Sequence, residues 1–363
     1  MNQTTDCVIV GAGLIGMLSA RELLLSGMAV TLVDQGAAGK ESSWAGGGIL
    51  SPLHPWRAFP AVTALASWSQ AFYPQLAAAL QDATGIDPQW TPSGLLILDP
   101  QEHGQALAWA GETGQTVQVL DADACRRLAP GLGFLPAQSL WLPQVAQVRN
   151  PRLLKALRQD LVQRGGLILT QTEVVEIRQR GGRVQGVRTP QGRLTSPRVV
   201  VAGGAWSSRI LQQAGISVEI EPVRGQMLLY RTEPGLLSPI ILQDQYYLIP
   251  RRDGHILVGS TMEYQGFNKV TTEAAREKLQ QAARRLLPAL ADYPLHDHWA
   301  GLRPGNRRGV PLIGPVPGID GLYINSGHFR NGVGLGPASA RLLADIVCTH
   351  DEMIVDPAPY RLS

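Results

Sequence analysis

Apolar positions along this chain fall into distinct rhythms. Residues 6–10, 28–33 and 198–201 are short apolar runs rich in β-branched side chains, and they read as strands, the last of a buried type. Residues 226–230, 245–250 and 255–261 alternate, as strands with two unlike faces do. Helical composition marks residues 17–25, 61–80, 153–164, 272–287 and 337–347. The pair Gly165-Gly166 stops one of these helices before a strand predicted over 167–178. Pro337 suits the first turn of the last helix, where its missing N–H costs nothing. No uninterrupted apolar run approaches the ~20 residues of a membrane span, and no internal repeat or low-complexity linker interrupts the pattern.

Between the first strand and the first helix lies Gly11-Ala12-Gly13-Leu14-Ile15-Gly16, and the next strand ends at Asp34. Strand, glycine turn, helix, strand and acid in this order form a dinucleotide-binding unit. Gly11 permits the tight turn, Gly13 lets backbone approach a pyrophosphate, and Gly16 lets the helix pack closely on the strands. The helix N-terminus then offers free N–H groups to the phosphates. Asp34 accepts from ribose hydroxyls, with Gln35 beside it, which favours NAD or FAD over NADP.

Three further glycine-rich segments separate those two. In Glu41-Ser42-Ser43-Trp44-Ala45-Gly46-Gly47-Gly48-Ile49, the serines can donate to phosphate oxygens and the glycines let backbone lie flat on a planar ligand. The buried strand at 198–201 runs into Ala202-Gly203-Gly204-Ala205-Trp206. Near the end, Gly327-His328-Phe329-Arg330-Asn331-Gly332-Val333 leads into the last helix, whose N-terminus can face the negative end of a reduced flavin. Contacts spread over so much of the chain describe one long extended ligand. FAD has that length, whereas an NAD reading leaves the C-terminal segment unexplained.

The chain has 363 residues, 44% hydrophobic and 17% charged, with a net charge of +3. Its basic residues are scattered, so no clustered basic face for nucleic acid is visible. Three cysteines, Cys7, Cys125 and Cys348, lie far apart and support neither a disulfide framework nor a zinc site. No group of metal-ligating spacing is found. Reduced thiols, and a polar start that runs straight into a strand without a signal peptide, lead us to expect a soluble cytoplasmic protein. No serine sits in a Gly-x-Ser-x-Gly elbow, so hydrolase chemistry finds no support.

Arg303 stands in Trp299-Ala300-Gly301-Leu302-Arg303-Pro304-Gly305, read as a loop bounded by glycine and proline. A guanidinium fork matches a carboxylate two bonds at a time, although by position alone a surface ion pair is an equal reading. Beside a flavin, such a fork implies a small carboxylic acid as substrate.

With these motifs in hand, the chain resembles, end to end, the D-amino-acid-oxidase family of flavoproteins, which includes sarcosine oxidases and amino-acid dehydrogenases. The Arg303 and Arg330 motifs are the specific part. The resemblance implies an α/β fold, with a Rossmann-like FAD-binding domain of glutathione-reductase type interleaved with a smaller antiparallel-sheet substrate domain. The first would take residues 1–55, 150–215 and 300–363, the second 56–149 and 216–299. Val174 and Val175 would surround the adenine. Arg303 would clamp the substrate carboxylate and Tyr247 would add its hydroxyl, with Tyr246, on the opposite face, as the alternative if the register slips. The backbone carbonyl of Arg330 would accept from the substrate amine. Met262 and Ile49 read equally as pocket lining near the α-carbon or as plain core. Ile49 and Ser51 depart from the methionine and glycine that the family resemblance suggests, which bears on fine substrate preference.

The implied activity is oxidative deamination of glycine, sarcosine and small D-amino acids, with O2 as acceptor, giving H2O2 and feeding the thiazole of thiamine. An amino acid with a neutral amine passes its α-hydrogen as hydride to flavin N5, so neither His328 nor His54 is required as a base. No cysteine lies near the Arg330 motif, so the FAD is expected to be noncovalent. A homo-oligomer is expected. The rival reading is a D-amino-acid dehydrogenase that passes electrons to a membrane quinone.

Overall fold

A computed structural model describes residues 2–98 and 101–362; Met1, Asp99, Pro100 and Ser363, which fall at the ends or inside of the expected domain segments, lie outside the described residues. The short apolar runs build one six-stranded sheet, in the order Leu312–Pro315, Leu322–Ser326, Val199–Val201, Cys7–Val10, Val30–Val33, Leu167–Leu169. Every pairing is parallel except the first. The strand Cys7–Val10 lies between Val30–Val33 and Val199–Val201, so the chain order reverses there. In an open α/β sheet the crevice at the carboxyl ends beside such a strand is where ligands bind.

Alternating strands build a second sheet of eight, in the order Leu295–Asn306, Ile220–Arg231, His255–Gly259, Tyr246–Pro250, Ile240–Gln243, Leu95–Ile97, Gln138–Leu142, Gln118–Asp121. It is antiparallel except where Ile240–Gln243 meets Leu95–Ile97. Tyr246 and Leu248 enter one apolar cluster while Tyr247 and Ile249 enter another. The period-two alternation thus puts the two tyrosines on opposite faces.

The expected strand over 167–178 is two strands. Leu167–Leu169 closes the six-stranded sheet, and Glu176–Arg180 belongs to a separate four-stranded sheet. Between them the backbone turns at Gln171, φ +53, and bonds Thr172 N–H to the Asp34 carbonyl. The chain must leave one sheet for another here, and it passes along the crevice as it does so. Arg303 likewise stands in no loop. It lies within the twelve-residue strand Leu295–Asn306, at the edge of its sheet. Pro304 faces Pro222 in that pairing, and an edge strand tolerates the missing donor.

The last helix begins before Pro337. It spans Gly332–Val347, with Pro337 inside it. Proline removes the bond that would reach the Val333 carbonyl, and the hydroxyl of the buried Tyr73 takes its place at 2.6 Å. One turn earlier on the same helix, Pro60–Thr84, Ser69 Oγ accepts from Ala338 N–H at 3.0 Å. Two side chains of one helix therefore repair the ladder of another, and the packing places Pro60–Thr84 against the helices that cover the six-stranded sheet. Tyr73→Phe should leave a buried carbonyl unpaired and lower unfolding stability by about 1–3 kcal/mol in a urea titration.

Candidate active site

One continuous cavity runs between the two large sheets. Its first part is built at the carboxyl end of Cys7–Val10. Gly11 sits at φ +113, and a Cβ there would lie 2.4 Å from the Ala202 carbonyl oxygen. A Cβ on Gly16 would lie 1.9 Å from the Gly11 oxygen. Gly13 is extended and borders the cavity, where a Cβ would meet only Ser43 Oγ, at 3.2 Å. That hydroxyl accepts from Leu14 N–H at 2.8 Å and caps the helix Leu14–Leu25, for which Gly13 has no side chain. Asp34 accepts from Ala12 N–H at one oxygen and Gly36 N–H at the other, both 2.8 Å. Its carboxylate is held rigid at the cavity wall with lone pairs left for hydroxyl donors. A backbone cradle that only glycine permits, a helix N-terminus and a fixed acid fit FAD.

Leu14, Ile15, Gln35, Ser42, Ser43, Val174, Ala202, Gly203 and Trp206 line the same space. Ala12, Gly16, Ala45, Val175 and Asn331 do not. Ala12 acts through its N–H on Asp34, Ala45 accepts from Trp299 Nε1 at 3.1 Å, Val175 bonds the Arg188 carbonyl, and Asn331 N–H bonds the His328 carbonyl. Lys40, Arg209 and Gln213 also line the cavity. The sequence reading missed these three, because nothing in a linear pattern says which exposed polar side chain faces a crevice.

At the other part, Gly46, Gly47, Gly48, Ile49, Tyr247, Arg303, His328, Phe329, Arg330, Gly332 and Val333 come together. Arg303 donates to Ser260 Oγ at 2.7 Å and the Thr261 carbonyl at 3.1 Å, and meets no carboxylate among the described residues. Its guanidinium lies flat over Gly225, where a Cβ would come within 2.2 Å of it. Gly259 does the same for Tyr247, with a Cβ position 2.5 Å from the ring. Among the described residues the Tyr247 hydroxyl donates only to Met227 Sδ, at 3.3 Å, a weak acceptor. Gly225 and Gly259 are further residues that the linear reading did not single out, since their neighbours come from other strands.

Arg330 opens to the cavity with no hydrogen bond or ion pair of its side chain among the described residues. Surrounding protein pushes its guanidinium below the usual range, Tyr247 opposes that shift, and the like charge of Arg303 adds to it. Two cations thus share a space without an acid of their own. Met262 is not brought to this space. It is 48% exposed and does not line the cavity, because the strand ends at Gly259 and the turn after it carries the side chain outward.

Arg251 is a neighbour of the site that the sequence reading did not single out. It is buried, donates to the Gly47 carbonyl at 2.8 Å and the Val148 carbonyl at 2.9 Å, and so braces the glycine loop. Burial pushes its guanidinium down to about 9, still protonated at neutral pH. His328 Nε2 lies 3.0 Å from Ser339 Oγ, and burial holds the ring down at about 3. It is neutral near pH 7, as a structural residue would be. None of Cys7, Cys125 and Cys348 lines the cavity, and burial raises the Cys7 thiol to about 12.

Gly225→Ala should displace the Arg303 guanidinium and weaken binding of a small carboxylate by about 2 kcal/mol or more, read by ligand titration, while FAD stays bound. His328 gives a pH prediction. Its folded pKa lies below the unfolded value, so the unfolded chain takes up the proton first. Stability is then full above about 6.5 and falls as pH drops toward 3. His328→Gln should flatten that acid limb in denaturation curves measured across the range.

The family model for FAD-dependent oxidoreductases, DAO, matches residues 6–346. The chain is 50% identical over 354 residues to a glycine oxidase of Pseudomonas aeruginosa, covering 97% of each chain. It is 33% identical to the bifunctional protein ThiO/ThiG of Nostoc, covering 95% of this chain and 53% of that one. Among solved structures, the glycine oxidase of Geobacillus kaustophilus superposes with a TM-score of 0.94 over 99% of each chain, at 29% identity. No helix of the described residues is long and apolar enough to cross a membrane. A glycine cradle at the carboxyl end of a parallel sheet, continuous with a cavity that holds unpaired guanidiniums, and a family match over nearly the whole chain agree: this chain belongs to the DAO family of FAD-dependent oxidoreductases.

Proposed function

We propose that the chain oxidises glycine to its imine with O2 as acceptor, giving H2O2, that water hydrolyses the imine to glyoxylate and ammonia, and that the chain accepts sarcosine and small D-amino acids. The observation that carries this reading is Arg303, a cavity-facing guanidinium whose acceptors among the described residues are all neutral. The high similarity to a protein called glycine oxidase supports it. The match to a bifunctional ThiO/ThiG protein supports a place for the product in making the thiazole of thiamine.

Bound FAD supplies the two-electron acceptor for the substrate's α-hydrogen and the route from it to O2. The chain's own residues bind and aim. The donors of Arg303 not used by Ser260 and Thr261 take the substrate carboxylate, and Tyr247 turns its hydroxyl from a thioether to the same group. The Arg330 carbonyl accepts from the amine, which keeps its lone pair aligned with the Cα–H bond that breaks. Ile49 covers the α-carbon from the glycine loop. His328, neutral and tied to Ser339, takes no proton. Holding the carboxylate and the amine at once fixes the α-carbon, and that orientation is the protein's share of the rate.

The test is anaerobic mixing of the purified holoenzyme with glycine, sarcosine, D-alanine and D-proline, followed by air. Glycine should bleach the flavin, with prompt peroxide on reoxidation. Bleaching by D-alanine alone with slow reoxidation would instead mean a dehydrogenase. Arg303→Ala should keep its FAD yet lose glycine-dependent bleaching, since a buried charged contact of this kind is worth about 2–5 kcal/mol. Unchanged kinetics in that variant would remove the centre of the reading.

A further inference from the structure

The guanidinium of Arg303 is aimed by a turn that belongs to a different strand. Both of its acceptors, Ser260 Oγ and the Thr261 carbonyl, lie just after the strand His255–Gly259. A free turn would hold a long cationic side chain poorly, but this turn is tied from behind. The Thr261 hydroxyl accepts from Gln226 N–H at 2.9 Å and donates to Glu263 Oε1. Glu263 Oε1 also accepts from Gln226 Nε2 at 2.8 Å. Its other oxygen takes the Arg224 guanidinium, with Arg224 Nε at 3.0 Å. The backbones of Arg224 and Glu263 exchange two bonds of 2.9 Å.

Arg224 and Gln226 stand on the strand Ile220–Arg231, on either side of Gly225, over which the Arg303 guanidinium lies. Arg224 is only 4% exposed and also bonds the Val270 carbonyl at 2.8 Å. The network therefore fixes, from one strand, both the floor under Arg303 and the turn that holds it. It has a second consequence. Glu263 is the acid on the turn that bears both acceptors of Arg303, yet its oxygens are fully engaged by Arg224, Gln226 and Thr261. It is withheld from Arg303, whose charge stays available to a ligand.

We propose that Glu263, acting through the Thr261 hydroxyl, is a positioning residue that sets the aim of Arg303 and leaves its guanidinium free for the substrate carboxylate. This rests on the reading of Arg303 as the carboxylate clamp. The residue touches neither substrate nor cofactor, so its effect falls on binding and orientation.

The experiment uses the FAD-loaded enzyme and glycolate, a carboxylate of glycine's size that cannot lose an amine. Glycolate is titrated by its perturbation of the flavin spectrum in wild type, Thr261→Val, Thr261→Ser and Glu263→Gln, and glycine kinetics are measured on each. Thr261→Val keeps the Arg224–Glu263 pair and removes the hydroxyl's two bonds, to Glu263 and from Gln226 N–H, so it guards against Glu263→Gln failing to fold around an unpaired Arg224. Thr261→Val should weaken glycolate and raise the KM for glycine roughly tenfold with kcat within about twofold, and Thr261→Ser should restore both. Unchanged glycolate affinity in Thr261→Val, or an equal loss in Thr261→Ser, overturns the inference alone. A wild-type holoenzyme that binds no glycolate and is not reduced by glycine overturns the proposed function, and this inference with it.

Discussion

A half-buried guanidinium with no acid to neutralise it is the constraint around which this site is arranged. Taking a charge out of water costs energy unless it is paired, and among the described residues Arg303 bonds only a hydroxyl and a carbonyl. A second cation, Arg330, opens to the same space and worsens the balance. The fold tolerates this because the guanidinium is only half-buried and opens to the cavity. When an anion enters, the same charges gain a partner in a space from which water has been displaced, and the interaction strengthens.

Glycine does at the eight-stranded sheet what it does at the six-stranded one. Gly11 and Gly16 let backbone pass where a methyl group would collide with a carbonyl oxygen. Gly225 and Gly259 leave floor space on two adjacent strands for a guanidinium and a phenol ring. The two halves are then locked in register. Trp299 bonds the carbonyl of Ala45, a Cβ on Gly301 would overlap the Ala45 side chain, and Arg251 braces Gly47. The glycine loop at 46–48 is thereby held by the eight-stranded sheet although it follows the nucleotide-binding strands in sequence. Any shift of one sheet against the other would move both the cofactor cradle and the Arg303 guanidinium.

The final helix shows how far such support reaches. Its interior proline frees a buried carbonyl beside the cavity, and a tyrosine from a helix far away in sequence satisfies it. A proline inside a helix is tolerated where the surroundings supply the missing bond. Here it lies about one turn after Gly332 and Val333, which border the cavity.

Local order settled much of this protein. The apolar runs, the glycine turn and Asp34 are short-range features, and each took in the structure the place its spacing implies. Alternation put Tyr246 and Tyr247 on opposite faces because a strand leaves no other choice. Where the sequence misled, the deciding partner was remote. Glycine and proline beside Arg303 look like a loop, yet pairing along Ile220–Arg231 makes an edge strand of them. Pro337 looks like a helix start, yet Tyr73 and Ser69 let the helix begin earlier. The run at 167–178 looks like one strand, yet two sheets compete for its ends. Gly225, Gly259, Arg251 and Glu263 carry no linear signal at all, because what each does is defined by a side chain or carbonyl from another strand. The sequence alone thus indicated which ligand class the crevice suits, and it singled out an arginine that borders the cavity. Only the tertiary structure decided how that arginine is held, since its floor, its acceptors and the acid kept away from it come from strands that meet only when the sheet forms.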